Sequence, residues 1–236
     1  IALTTGADAI HPGYGFLAEN AYFADKCLDN KISFIGPSPD AIYKMGNKTI
    51  ARKIALAHNI PVALGSEGNI SNEEEAIAVA EKIGYPVIIK AASGGGGRGM
   101  RIVRKSEEME KLFVIASKEA EKAFKDPSVF IEKYIENPKH IEFQILGDKK
   151  GNVIHLGERE CSIQRKHQKL LEEAPSGALD DRLREIMGST AVRIAKAVGY
   201  YSAGTVEFLL DSEKNFYFME MNTRIQVEHP VTEVIT

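Results

Sequence analysis

Residues 85–103 read Y-P-V-I-I-K-A-A-S-G-G-G-G-R-G-M-R-I-V. Two short apolar strands, V-I-I-K-A and R-I-V, flank a loop that carries Gly94, Gly95, Gly96, Gly97 and Gly99. Backbone N–H groups of such a loop can approach phosphate oxygens closely, because no side chain stands in the way. The loop is not a Walker A motif: its G-K-[ST] ending is missing, and a strand rather than a helix follows. The dinucleotide-binding fingerprint fails for the same reason. What remains is a hairpin whose tip closes as a flap over a nucleotide. Lys90 ends the first strand, Arg98 lies in the loop, and Lys48 in M-G-N-K-T adds a cation upstream. Lysines from different segments suit a phosphate clamp. On this stretch alone, a surface turn with solvated lysines is an equal reading.

Around this hairpin, residues 61–135 read as a compact α+β unit. Ser71 followed by Glu74 forms an expected capping box for a helix to Ile83. A long helix is expected from about Ser106 to Phe124, followed by the strand S-V-F-I-E-K-Y-I. Residues 1–60 read as α/β: a strand runs into the turn H-P-G-Y-G-F, a helix-like stretch covers Glu19 to Asn30, and K-I-S-F-I-G-P is a strand. Two helical patterns then run from Asp40 to Asn59, stopped by Pro61. Residues 136–236 carry four expected strands, H-I-E-F-Q-I-L-G, N-V-I-H-L-G-E-R, G-T-V-E-F-L-L-D and N-F-Y-F-M-E-M-N, with a helix from about Asp180 to Val198. The short turns G-D-K-K-G-N and D-S-E-K-N point to antiparallel hairpins.

The strand N-F-Y-F-M-E-M-N places Glu220 and Asn222 on one face by its two-residue period, with Phe216 and Phe218 as a possible pocket floor. Glu207 comes near Glu220 if D-S-E-K-N closes a hairpin. Two carboxylates and an amide oxygen are hard ligands suited to Mg²⁺, and a salt-bridged cluster is the other reading. Downstream, Arg224, Gln226 and Glu228 alternate, so they project to one side if that segment is extended. Such a set suits a small oxyanion and a base; a solvated edge strand is the alternative. Gln164, His167 and Lys169 form a basic patch or a plain charge run, and His140 is a nucleotide contact or a cap.

Composition narrows the classes. The 236 residues are 44% hydrophobic and 27% charged, which fits a globular chain rather than a disordered one. With 30 basic against 33 acidic residues, no broad basic field exists for nucleic acid. No stretch is long and apolar enough for a transmembrane helix. Cys27 and Cys161 are too few for a disulfide framework and read as reduced thiols. The chain opens on Ile1 and stops at Thr236 without a polar tail, which reads as an excerpt of a longer protein.

Taken together, the motifs resemble the biotin carboxylases, the ATP-grasp components of acetyl-CoA, propionyl-CoA, methylcrotonyl-CoA and pyruvate carboxylases. The resemblance rests on H-P-G-Y-G-F-L-A-E-N, F-I-G-P, M-G-N-K, Y-P-V-I-I-K-A, G-G-G-G-R-G-M, E-K-Y-I-E-N-P-K-H-I-E, E-R-E-C-S-I-Q-R-K-H-Q-K, E-E-A-P and E-M-N-T-R-I-Q-V-E-H-P-V-T-E, in the family's order over nearly the whole chain. It implies an α/β (α+β) ATP-grasp fold in three parts. Residues 1–60 would be the end of the N-terminal α/β domain, 61–135 a Gly-rich lid, and 136–236 an incomplete catalytic domain built on an antiparallel sheet. It implies that Lys48 and Lys90 hold ATP phosphates, that Gly96 and Gly97 form the lid tip, and that Glu132, Lys133, Tyr134 and Ile135 run along the adenine. His140, Gln164 and His167 would line the nucleotide pocket. Glu207, Glu220 and Asn222 would bind Mg²⁺ or Mn²⁺. Lys169, Arg224, Gln226 and Val227 would hold bicarbonate, with Glu228 as general base and Lys169, Arg224 and Glu228 as the catalytic set.

The implied reaction is ATP-dependent carboxylation of biotin on a biotin carboxyl carrier protein, through carboxyphosphate. A carboxyltransferase then serves the acyl acceptor, by default acetyl-CoA in fatty acid synthesis, with propionyl-CoA or pyruvate as the alternatives. The intact protein would be a homodimer in the cytoplasm, or in the mitochondrial matrix if eukaryotic. The family carries a further N-terminal strand-and-helix segment and a later arginine for biotin, neither of which is in this chain. Carbamoyl-phosphate synthases share bicarbonate, ATP and carboxyphosphate. R-I-Q-V-E-H-P-V-T-E and H-P-G-Y-G-F-L-A-E-N favour the biotin enzyme over them, and the presence of Arg224, Glu228 and the metal ligands argues against a non-catalytic module.

Overall fold

The structure is a computed structural model that describes residues 1–92, 99–165 and 168–236. The expected lid-tip residues Gly96 and Gly97, with Arg98, and the expected pocket residue His167 lie outside the described residues. In chain order the first elements are α1 (Ala2–Thr5), β1 (Ala9–Ile10), α2 (Ala21–Asp29), β2 (Ser33–Phe34), α3 (Pro39–Gly46), α4 (Lys48–Ala57) and α5 (Glu73–Ile83). There follow β3 (Val87–Ala91), β4 (Arg101–Val103), α6 (Met109–Phe124), β5 (Val129–Lys133), β6 (Lys139–Gly147) and β7 (Val153–Arg165). The last are β8 (Gln168–Glu173), α7 (Asp181–Ala197), β9 (Ser202–Leu210), β10 (Phe216–Asn222) and α8 (His229–Glu233).

Polar side chains start most of the longer helices by accepting from an otherwise orphaned backbone N–H. Asn20 accepts from Phe23 N, Ser38 from Ala41 N ahead of Pro39, Asn47 from Ile50 N, and Asp180 from Leu183 N. At α5 the cap is Asn72 rather than the expected Ser71. Asn72 accepts from Glu75 N at 2.9 Å, and Glu75 reaches back to Ser71 N at 2.8 Å. Asn is as good a cap as Ser, so the box moves one residue along.

Among the described residues, three sheets organise the fold. β1 and β2 pair in parallel, β4-β3-β5 form an antiparallel three-stranded sheet, and β10-β9-β6-β7-β8 form an antiparallel five-stranded one. Strand β8 adds to the four expected in the last hundred residues. Its Q-K-L-L-E-E sequence has too weak an alternation to stand out from a charge run, and pairing with β7 defines it.

Alternation divides the faces. In β3 and β5, Val87, Ile89, Ala91, Val129 and Ile131 pack with Phe113, Ala116 and Ala120 of α6 and Ala76 and Ala80 of α5. Ile88, Lys90, Phe130 and Glu132 point the other way, into a cleft. In the large sheet, Ile141, Phe143, Ile145, Val206, Phe208 and Leu210 pack against Met187, Ala191 and Ile194 of α7, and Ala51 and Ala55 of α4 join the same core. Phe208 meets Phe143, Phe216 and Phe218 edge-on at 5.5–6.4 Å between ring centroids. Phe216 and Phe218 therefore belong to this core. Contrary to simple alternation, they pair on the ladder face opposite Glu220, although Phe218 still reaches the cleft lining and Phe216 does not.

The reason is a bulge. Phe218 pairs with Phe208 but Glu220 pairs with Glu207, leaving Met219 as the extra residue. One inserted residue reverses the faces of everything beyond it. Glu220 and Asn222 turn to the cleft because of it.

Candidate active site

The cleft has a volume of about 1250 Å³ and is lined from both antiparallel sheets. The described residues to which the resemblance gives a role line it: Lys48, Lys90, Glu132, Lys133, Tyr134, Ile135, His140, Gln164, Lys169, Glu207, Glu220, Asn222, Arg224, Gln226, Val227 and Glu228. They come from stretches far apart in the sequence, so only the folded chain assembles them.

At one end lie the cations of the small sheet and α4. Lys90 Nζ donates to Glu132 Oε2 at 2.6 Å, and Arg52 Nη1 donates to Glu132 Oε1 at 3.0 Å. Lys133 turns its ammonium onto the backbone carbonyls of Gly84 and Tyr85, both at 3.0 Å, and so anchors the strand end. Lys48 lies 3.1 Å from Glu220, whose charge raises the lysine's pKa above the ordinary value.

At the centre, Glu207 faces Glu220 directly across the β9–β10 ladder. Glu207 Oε1 accepts from Lys169 Nζ at 3.0 Å and Asn222 Nδ2 at 2.5 Å, and its Oε2 lies 2.6 Å from His140 Nε2. Burial opposes the charge of Glu207, yet His140 and Lys169 outweigh burial and hold its carboxyl far below the usual range. The converse holds for His140: burial favours the neutral ring, but Glu207 more than offsets it and raises the pKa. Gln164 Nε2 lies 2.7 Å from His140 Nδ1 and holds the ring from its other side.

Lys169 is not a solvated patch. Its ammonium bonds Glu142, Glu207 and, at 2.8 Å, Glu228. Burial works against this charge, and Glu207 and Glu142 outweigh it, raising the pKa above that of an ordinary lysine. Burial likewise pushes Glu228 up, but the hydrogen bond from Lys169 prevails and keeps it a carboxylate well below neutral pH. Next to it, residues 223–228 are not extended, so the condition for simple alternation is not met; they form an irregular turn into α8. Arg224, Gln226 and Glu228 nonetheless all reach the cleft, because side chains fasten the turn. Glu19 accepts from Thr223 N at 3.0 Å and from Arg224 Nε at 2.8 Å.

Glu207 and Glu220 are directly cross-strand, and with Asn222 they could hold a magnesium ion through three oxygens, once the Asn222 amide, whose Nδ2 now faces Glu207 and whose oxygen faces Arg224, turns round. A second set, His140, Glu142 and Glu207, brings its ligand atoms within 4.8 Å of one another, but Lys169 sits on both of its carboxylates.

Sequence reasoning missed Glu19, Arg52, Glu142 and Arg159. Glu142 and Arg159 are fully buried, opposite one another in the β6–β7 ladder. The alternation of His140, Glu142 and Gln144 along β6 was a signal for Glu142. Nothing local marks Arg159, whose partners lie up to 73 residues away.

Residues 47–236 match the family model of the carbamoyl-phosphate synthase L chain ATP-binding domain, and residues 1–42 match the biotin carboxylase N-terminal domain. A biotin carboxylase from Nostoc sp. is 61% identical over 235 residues, covering 100% of this chain and 53% of that protein. The chain belongs to the biotin carboxylase family. Its fold is the ATP-grasp fold of that family, mixed helix and sheet with antiparallel sheets. A biotin carboxylase–beta-gamma-ATP complex from Campylobacter jejuni superposes with a TM-score of 0.98 at 51% identity, over 100% of this chain and 53% of that one. The biotin carboxylase domain dimer of Hydrogenobacter thermophilus 2-oxoglutarate carboxylase, in complex with MgADP, ADP and bicarbonate, superposes with a TM-score of 0.97 at 57% identity, over 100% and 52%. The chain spans about half the length of the curated biotin carboxylases it matches.

Proposed function

We propose that the cleft activates bicarbonate with ATP and carboxylates biotin. One observation carries this reading. Two cations (Lys48, Lys90), the Glu207, Glu220 and Asn222 side chains and a lysine-held carboxylate (Glu228) beside Arg224 and Gln226 line the same cleft, which supports a phosphate clamp, a metal site and a base side by side. ATP would lie with its adenine along Glu132–Ile135, near His140 and Gln164, and its phosphates on Lys48 and Lys90. Glu207, Glu220 and Asn222 would hold magnesium, which neutralises charge on the phosphoryl oxygens.

Glu228 takes the proton of a bicarbonate held by Lys169, Arg224, Gln226 and the backbone at Val227. The bicarbonate oxygen then attacks the γ-phosphorus, and the bond to the β-phosphate breaks to leave ADP and carboxyphosphate. Carboxyphosphate separates into carbon dioxide and phosphate. The phosphate takes the N1 proton of biotin, and the enolate attacks carbon dioxide while Arg224 stabilises its charge. The closed cleft keeps water from carboxyphosphate.

In the whole protein, a homodimer, the biotin arrives on a carrier protein or domain and a carboxyltransferase takes the product. The default acceptor is acetyl-CoA. The 2-oxoglutarate carboxylase relative at 57% identity and a Methanothermobacter thermautotrophicus pyruvate carboxylase relative at 54% make keto acids the alternatives, with the same half-reaction. Among the described residues no helix is long and apolar enough to cross a membrane. A cytoplasmic setting is our reading, with an organelle the alternative that the chloroplastic relatives support.

The test is phosphate release from MgATP by the full-length protein, with and without bicarbonate and free biotin. Release should need bicarbonate, rise with biotin and fall at least about 100-fold in Glu228→Gln. Release that ignores biotin but needs an amine donor would favour carbamoyl-phosphate chemistry instead.

A further inference from the structure

The buried guanidinium of Arg159 has no part in the reaction sequence above, yet it touches that site's supports on every side. Arg159 is 0% exposed. Its Nε donates to Glu142 Oε1 at 2.6 Å. Its Nη1 donates to Gln144 Oε1 at 2.9 Å and Thr232 Oγ1 at 2.7 Å. Its Nη2 donates to Gln226 Oε1 at 2.9 Å and Thr205 Oγ1 at 3.4 Å. A guanidinium has five N–H groups and no acceptor, so each N–H has a partner, and each partner must present an oxygen.

That requirement has a chemical consequence at Gln226. A carboxamide can turn either end toward a neighbour, but only its oxygen can face a guanidinium. With Oε1 on Arg159, the NH₂ group is left on the cleft side, where it donates to Glu207 Oε1 at 3.3 Å. An amide in the opposite orientation would show its oxygen to the cleft and repel an anion. The second consequence runs through Glu142. Arg159 holds one carboxylate oxygen and Lys169 the other, so the same guanidinium fixes the support of the Lys169 ammonium.

We infer that Arg159 is the positioning residue of the oxyanion site: it sets the donor end of the Gln226 amide toward the cleft and, through Glu142, the place of the Lys169 ammonium. The inference rests on the bicarbonate reading of Gln226 and Lys169 given above. A lysine at this position carries the charge that Glu142 needs to stay buried, but has three donors on one atom and cannot bridge strands β6, β7 and β9 to the 223–228 turn.

The experiment is steady-state kinetics of bicarbonate-dependent phosphate release in the full-length protein, for Arg159→Lys, Arg159→Gln, Gln226→Met and the Arg159→Lys/Gln226→Met double variant. Binding of ADP is measured alongside as a check on the fold of the nucleotide end. The expected result is a rise in KM for bicarbonate of about tenfold or more in Arg159→Lys, with KM for ATP and ADP binding within twofold of wild type. In the Gln226→Met background, Arg159→Lys should add only part of that factor, because the amide it orients is gone and only the path through Glu142 to Lys169 remains. Unchanged bicarbonate KM overturns the assignment. So does an equal loss toward ATP and bicarbonate, or a full additional effect in the double variant; either would make Arg159 a structural support only. A wild-type protein whose phosphate release ignores bicarbonate would instead overturn the carboxylase reading, and this assignment with it.

Discussion

Replacing Arg52 by methionine should weaken ATP binding without touching the bicarbonate end of the cleft. Glu132 holds Arg52 on one oxygen at 3.0 Å and Lys90 on the other at 2.6 Å, and the three side chains are each only 13% exposed. If Lys90 serves the phosphates of ATP, it must leave Glu132 when the nucleotide arrives. With Arg52 present, Glu132 keeps a partner after that exchange. Without it, Glu132 is left nearly buried and unpaired, a state that costs about 1.5–3 kcal/mol for a charged hydrogen-bonding group. Residual water access lowers this to about 1–2 kcal/mol on nucleotide binding, or about 5- to 30-fold in Kd. Titration of the full-length protein with ATP, together with KM for ATP and for bicarbonate, reads the effect. Arg52→Lys should recover part of it. A Kd for ATP within twofold of wild type in a folded Arg52→Met protein would refute the exchange, and an equal rise in both KM values would point to general loosening.

Two further outcomes concern stability. Gly204→Ala should cost about 1–3 kcal/mol in urea unfolding, because a Cβ there would sit 2.7 Å from Cζ of the buried Tyr200 ring, whose hydroxyl is already committed to Ala203 O; a change below about 0.5 kcal/mol would mean that the ring moves freely. Glu160 is pushed up by burial, but hydrogen bonds from Lys139, Ser176 and Ser162 prevail and lower its pKa, so its contribution is present above the unfolded carboxyl value and drains as pH falls through the folded one. Glu160→Gln should therefore be less stable than wild type at pH 7 and lose less stability below about pH 4.5, and parallel urea midpoints from pH 7 to pH 3 would contradict this.

Much of the fold was legible in local sequence. Apolar runs such as Val87–Ala91 and Val129–Lys133 marked buried strands, and Pro61 marked a stop. The capping signal near the start of α5 was read one residue early, at Ser71 rather than Asn72. These signals are local because they satisfy backbone groups or bury side chains within a few residues. The residues that line the cleft were legible through motif resemblance rather than physics: nothing in the spacing of Lys48, Lys90, Lys169 and Glu228 says that they meet.

The sequence by itself determined most of the helices and strands, which face of most strands is apolar, and which polar residues sit on strands where they cannot stay unpaired. Only the tertiary structure decided three things. The Met219 bulge turned Glu220 and Asn222 onto the face of Glu207, against the simple two-residue period. Strand β8 arose from a stretch with little strand character and brought Lys169 among three carboxylates. Arg159 joined strands β6, β7 and β9 to the 223–228 turn. Each is a choice between local alternatives of nearly equal energy. Burial and charge pairing with residues distant in the chain tip the balance, and those partners exist only once the sheet has closed.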